Sequence, residues 1–146
     1  MINDTFRHKG LRKAMVEKMC DLGITDERVL AAMERVPRHL FMGAESVFDE
    51  MAYENKAFQI GSGQTISMPH TVAYQSQLLE IAQGDKVLEV GTGSGYQAAV
   101  LAEMGAKVFS IERQKSLFDK TAPFLRELGY TSIKTFFGDG FVGVPG

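Results

Sequence analysis

Tryptophan is absent from the 146 residues, cysteine occurs once and proline four times. A single cysteine, Cys20, rules out an intrachain disulfide and suits a reducing compartment. Few prolines and an ordinary glycine share leave room for regular structure and exclude collagen-like or low-complexity chains. No stretch approaches the ~20 apolar residues of a membrane-spanning helix. The start, Met1-Ile2-Asn3-Asp4-Thr5-Phe6-Arg7-His8-Lys9, lacks the apolar run of a secretory leader. The expected location is cytoplasmic, with no membrane partner. Charge of one sign is lacking too. With 16 basic and 18 acidic residues the net charge is -2, which offers phosphate backbones no general attraction and argues against nucleic acid.

A 45% hydrophobic share is what one globular domain of this length needs to bury roughly 70% of its unfolded surface. The first third reads as helical. Leu11, Met15, Met19 and Leu22 recur at helical spacing, and Gly23 is placed to end that helix. Cys20 reads as core beside Met15 and Met19. Thr25 or Asp26 caps a second helix that buries Val29, Leu30 and Met33 and stops at Pro37. Residues 41–60, with Phe41, Phe48, Tyr53, Phe58 and Ile60 scattered, read as irregular structure with short strands. Gly61 to His70 reads as a loop, punctuated by two glycines and Pro69. A helix from Thr71 is expected to bury Val72, Leu78, Leu79 and Ala82.

Strand and helix then alternate. Val87–Val90 is a short apolar strand, Gly91–Gly95 a tight loop, and Tyr96–Met104 a helix. Lys107–Ile111, a helix from about Gln114 to Leu128 that Pro123 should kink, and Ile133–Phe137 follow. Such alternation predicts a parallel sheet with flanking helices.

The chemistry gathers at the strand ends. In Glu89-Val90-Gly91-Thr92-Gly93-Ser94-Gly95-Tyr96, the glycines allow a ligand close to the backbone, and the helix after them offers unpaired N–H groups. Dinucleotide sites use G-x-G-x-x-G. Tyr96 stands where the last glycine would fall, which disfavours a nicotinamide oxidoreductase and favours S-adenosylmethionine, a ligand with no phosphate. Glu112, about 20 positions on, can accept from both ribose hydroxyls. Asp139, within Gly138-Asp139-Gly140, can reach an adenine amino group. Each feature also has a plain reading: a strand–helix turn, a carboxylate paired with Arg113 or Lys115, a turn residue. Thr65 and Ser67 could likewise only satisfy loop backbone or cap the helix at Thr71. The histidines His8, His39 and His70 are too far apart in sequence to suggest a metal cluster.

Taken together, these residues resemble the protein-L-isoaspartate methyltransferases. The glycine loop and Glu112 are common to many methyltransferases. The more specific match is Gly63-Gln64-Thr65-Ile66-Ser67-x-Pro69, supported by Val36-Pro37-Arg38-x-x-Phe41 and Gly138-Asp139-Gly140. The similarity runs from about Leu11 to Gly140. It implies a Rossmann-like class I methyltransferase with an N-terminal helical extension. Residues 1–70 would form a helical and substrate-loop region and 71–146 the first half of the cofactor domain, in one structural domain. The implied reaction moves a methyl group from S-adenosylmethionine to the α-carboxyl of L-isoaspartyl residues in damaged proteins, leaving S-adenosylhomocysteine and requiring no metal. The ester then closes to a succinimide, whose hydrolysis restores some normal aspartate.

Carried over residue by residue, the resemblance makes Ser67 catalytic and puts Gln64, Thr65 and Ile66 beside it around the substrate. Glu89, Gly91, Thr92, Gly93, Ser94, Gly95, Glu112, Asp139 and Gly140 would hold the cofactor. Family members continue with further strands, so only half of the sheet is expected here. Its first strand should be an open apolar edge, as in a fragment, or be covered by a second copy through dimerisation or domain swapping. Two other functions compete: a methyltransferase with another acceptor, such as a small molecule, and a cofactor-binding module without turnover.

Overall fold

The computed structural model describes residues 3–43, 49–61 and 63–144. Helix α1 (Phe6–Asp21) opens with a reciprocal cap. The His8 N–H donates to Thr5 Oγ1 at 3.3 Å, and the Thr5 N–H donates to His8 Nδ1 at 3.1 Å. Met15, Val16 and Met19 are buried, but Cys20 is exposed, correcting its reading as core. One step beyond Met19 turns a side chain by about 100°, off the buried stripe. Helix α2 (Glu27–Arg35) is capped by Asp26, which accepts from the Arg28 N–H at 2.9 Å, and it buries Val29, Ala32 and Met33. Leu30 is only half-buried. Two 3-10 turns follow, Arg38–Met42 and Asp49–Tyr53.

The stretch read as a loop is partly a strand. β1 (Phe58–Gly61) pairs antiparallel with β2 (Gln64–Ile66), with Phe58 opposite Ile66 and Gln59 opposite Thr65. The two strands are four and three residues long, too short for alternation to stand out. Phe48 and Ser62 lie outside the described residues.

Helix α3 (Pro69–Leu78) begins two residues earlier than expected, with proline at its first position, where a missing N–H is harmless. Its buried side is Val72, Ala73 and Ser76. Leu78 (63%) and Leu79 (52%) are exposed, as is Ala82, against expectation. Leu78 falls on the opposite side of the helix from that stripe. Beyond it the helix ends and Glu80 adopts a positive φ of 49°, so the helical period no longer applies. Among the described residues no helix is long and apolar enough to cross a membrane.

The sheet has the order β3 (Lys86–Val90), β4 (Lys107–Glu112), β5 (Lys134–Phe137), all parallel. Helix α4 (Tyr96–Glu103) links the first two and α5 (Lys115–Glu127) the next two. α4 buries Ala98, Ala99, Val100 and Leu101 on successive positions, as a helix covered on several sides must. It contacts both β4 and α2. Among the described residues β3 is paired on one side only, and Leu88 (49%) and Val90 (64%) are exposed. The open apolar edge expected from the sequence is present.

Candidate active site

The loop 91–95 leaves β3 at the carboxyl end of the sheet. The Gly91 N–H donates to the Ile111 carbonyl at 2.8 Å, tying the loop to the neighbouring strand. Glu112, buried at the end of β4, accepts from the Gly93 N–H at 2.9 Å and the Gln114 N–H at 2.8 Å, one on each carboxylate oxygen. It therefore braces the loop against the start of α5 rather than pairing with Arg113 or Lys115. Each oxygen keeps a second lone pair for a ligand. From α5, the Thr121 hydroxyl donates to the Gly93 carbonyl at 2.7 Å, so Gly93 is held on both sides.

A cavity of about 250 Å³ joins the two predicted halves of the site. Thr65, Ile66, Ser67, Val72 and Gln75 form one wall, and Glu89 to Ser94 with Tyr96 and Gln97 form the other. Gln64 lies outside this lining. Among the described residues the charged group lining it is a carboxylate, Glu89, with no lysine, arginine or histidine, so the site's charge disfavours an anion such as pyrophosphate although the loop N–H groups alone could cradle one. The site suits a cationic sulfonium amino acid: the Cβ position of Gly91 meets nothing within 4 Å and that of Gly93 meets only Ile60 Cδ1, at 4.0 Å, and Glu89 supplies the acid. A larger cavity, about 550 Å³, lies behind the loop between the 38–42 turn and α5, and of the predicted residues it touches Ser94 alone. The smaller one gathers most of the predicted residues.

Glu89 belongs to a chain that the sequence reading missed. Ser110 Oγ donates to Glu89 Oε1 at 2.5 Å and lies 2.6 Å from Thr92 Oγ1. Strand register puts Ser110 beside Glu89, and that pairing was the available signal. Burial pushes the Glu89 carboxyl up to about 7; the Ser110 hydrogen bond partly offsets this, and the nearby Glu112 charge adds to the rise. A raised folded-state value means Glu89 contributes most below its ordinary value of 4.5 and loses that contribution as pH rises through about 7. With allowance for partial solvation, the loss amounts to about 1–2 kcal/mol. Glu89→Gln should therefore gain stability relative to the parent as pH goes from 5 to 8 in denaturant titrations. A difference independent of pH would reject this reading.

The remaining predicted residues do not line the cavity, and neither does Glu112, which sits buried behind the loop. Asp139 is exposed, and its carboxylate accepts from the Phe141 N–H at 2.9 Å, capping a 3-10 turn, Gly140–Val142. Gly140 lies directly against the Val90 side chain, which brings the end of β5 beside the end of β3. Gly95 faces α5 rather than the cavity. Contrary to the reading of separate histidines, the fold brings His8 and His39 into a stacked pair, centroids 3.8 Å apart, with Asp4 nearby. The group is held by protein contacts. His39 Nδ1 lies 2.7 Å from the Tyr53 hydroxyl, His39 Nε2 lies 2.7 Å from the Asn3 carbonyl, and Asp4 takes both terminal nitrogens of Arg12 at 3.0 Å.

The family model for Protein-L-isoaspartate(D-aspartate) O-methyltransferase matches residues 10–146. A protein-L-isoaspartate O-methyltransferase of Christiangramia forsetii is 57% identical over 144 residues, covering 99% of this chain and 67% of the relative. One from Methanoculleus marisnigri is 50% identical over 92% of this chain and 60% of its own length. A solved structure of a protein-L-isoaspartate O-methyltransferase superposes with a TM-score of 0.82 at 26% identity, over 92% of this chain and 44% of that one. A Plasmodium falciparum structure in complex with S-adenosyl-L-homocysteine has the same fold, with a TM-score of 0.70 at 23% identity, over 92% of this chain and 65% of its own. The chain spans about two thirds of its curated relatives, and over that span it belongs to the protein-L-isoaspartate O-methyltransferase family, S-adenosylmethionine-dependent enzymes that act on isoaspartyl residues of proteins.

Proposed function

We propose that this chain binds S-adenosylmethionine and directs methylation of the α-carboxyl of L-isoaspartyl residues. One observation carries the reading: Thr65, Ile66 and Ser67 share a single cavity with the Glu89–Ser94 segment. Thr65–Ser67, with Val72 and Gln75, frame the acceptor side, and Glu89–Ser94, with Tyr96 and Gln97, the cofactor side. Bound there, S-adenosylmethionine supplies an electrophilic methyl group. The chain supplies placement. Glu89 faces the ligand's amino group, and Glu112 offers its free lone pairs to the ribose. Asp139 and Gly140, at the next strand end, suit the adenine side. A carboxylate acceptor is already ionised at pH 7, so no strong general base is required. Ser67, exposed at the cavity mouth, can donate to it without neutralising it, while buried Ile66 keeps water away. Orientation and desolvation then carry the rate.

The test is incubation with labelled S-adenosylmethionine and an isoaspartyl peptide, with the matching aspartyl peptide as control. Transfer to the isoaspartyl peptide alone is expected. Cofactor binding without transfer would replace this reading with the binding module, and transfer to other acceptors would change the substrate class.

A further inference from the structure

Arg38 is fully buried, a rare state for the most polar of side chains. No carboxylate pairs with it among the described residues. Its Nε donates to the Ala52 carbonyl at 2.7 Å and its Nη2 to the Lys56 carbonyl at 3.2 Å, while Nη1 finds no partner. The guanidinium carbon lies 4.8 Å from the centroid of the Tyr96 ring, itself buried with an unpartnered hydroxyl. Leaving a cation and a phenol in this state is unfavourable unless the geometry they impose is needed. Burial alone does not require an arginine here; a methionine would fill similar volume.

What the guanidinium joins explains its presence. Ala52 and Lys56 bracket the turn that leads into β1, and β1 carries β2 and hence Gln64–Ile66. The same turn reaches the far side of that segment, because Asn55 Oδ1 accepts from the His70 N–H at 3.0 Å at the start of α3. Tyr96 is the first residue of α4, directly after the glycine loop, and it lines the cavity. One planar group thus grips the backbone behind the acceptor wall and stacks on the residue that begins the cofactor wall. Arginine suits this because its fork gives several fixed donors and a flat face for stacking.

We propose that Arg38 is a positioning residue, a tether that sets the distance of the Thr65–Ser67 wall from the glycine loop. The inference rests on the assignment of that wall to the acceptor. Arg38 touches neither the cofactor nor the acceptor; it acts through the 52–56 turn and Tyr96. Loosening it should free the acceptor wall and leave the cofactor wall in place.

The test uses Arg38→Met and Arg38→Lys in the whole chain, with three readouts. Amide exchange at Phe58–Ile60 and Gln64–Ile66 should quicken at least about tenfold in Arg38→Met and less in Arg38→Lys, which keeps the charge and N–H donors but not the planar fork or the flat face. Affinity for S-adenosylhomocysteine, read by calorimetry, should stay within about threefold of the parent. Where methyl transfer is measurable, kcat/KM for an isoaspartyl peptide should fall about 100-fold. The first two readouts need no turnover, so they test the tether even if the proposed activity fails. Unchanged exchange in the hairpin would overturn the proposal. So would exchange that rises equally in α4 and β3 with a matching loss of cofactor affinity, since that marks a general structural role. If Arg38→Met does not fold, Arg38→Lys alone decides by the same two criteria.

Discussion

Glu112→Ala is expected to weaken binding of S-adenosylhomocysteine at least about 100-fold and to destabilise the chain by about 3 kcal/mol. Two ribose hydrogen bonds to a carboxylate are worth roughly 1.5 kcal/mol each, and each tenfold in affinity is about 1.4 kcal/mol. The stability loss has a separate origin. Glu112 accepts from Gly93 and Gln114, and alanine leaves both N–H groups without a charged partner. Glu112→Gln separates the two effects. It keeps the shape and one acceptor oxygen, but sets an NH2 group against one of the backbone donors, so about half of the stability loss should remain. Calorimetric titration gives the affinity and urea denaturation the stability. An alanine variant that binds within threefold of the parent would show that Glu112 is only a brace.

The alternating half of the fold was legible because its signals are local and agree with one another. A short run such as Val87–Val90, with valine at both ends, a glycine turn and an alanine-rich helix each name their own conformation. The cap of α2 was narrowed to Thr25 or Asp26, of which the structure uses Asp26, while the Thr5 cap of α1 went unread. The β1–β2 hairpin was hidden by its length. The buried side of α3 was misassigned because Leu78 and Leu79 look like core to any periodic count, yet they face outward from the described elements. Around the candidate site, Gly91, Gly93 and Glu112 were picked out by strand and loop order, and Glu89 by the family resemblance. The roles of Arg38 and Ser110 were not, because they depend on what the tertiary fold places beside them. Ser110 is named only by the strand register, and Arg38, though part of the quoted Val36-Pro37-Arg38 motif, shows its role only once its burial is known.

Gly95 and Gly91 carry the same motif and similar φ values, +86° and +92°, but their substitutions should fail in opposite ways. A Cβ on Gly95 would meet Leu125 Cδ2 and Thr121 Cγ2 at 3.0 Å. Leu125 is almost fully buried and cannot retreat. Moving Thr121 would break its bond to the Gly93 carbonyl, which fixes the loop. Gly95→Ala should therefore combine a left-handed penalty of about 1–2 kcal/mol with overpacking of about 1–3 kcal/mol, roughly 3 kcal/mol together. A Cβ on Gly91 meets no atom within 4 Å, so Gly91→Ala should lose only the backbone part, about 1–2 kcal/mol. Its methyl group enters the space a ligand needs, so its larger effect should be on cofactor affinity. Urea denaturation and calorimetry on both variants form a crossed pair. The expected result ranks Gly95→Ala lower in stability and Gly91→Ala lower in affinity, measured on whichever fraction remains folded. The same ranking in both assays would mean that the loop responds as one strained unit. The expected crossing would show that the first glycine serves the ligand while the third lets α4 and α5 approach each other.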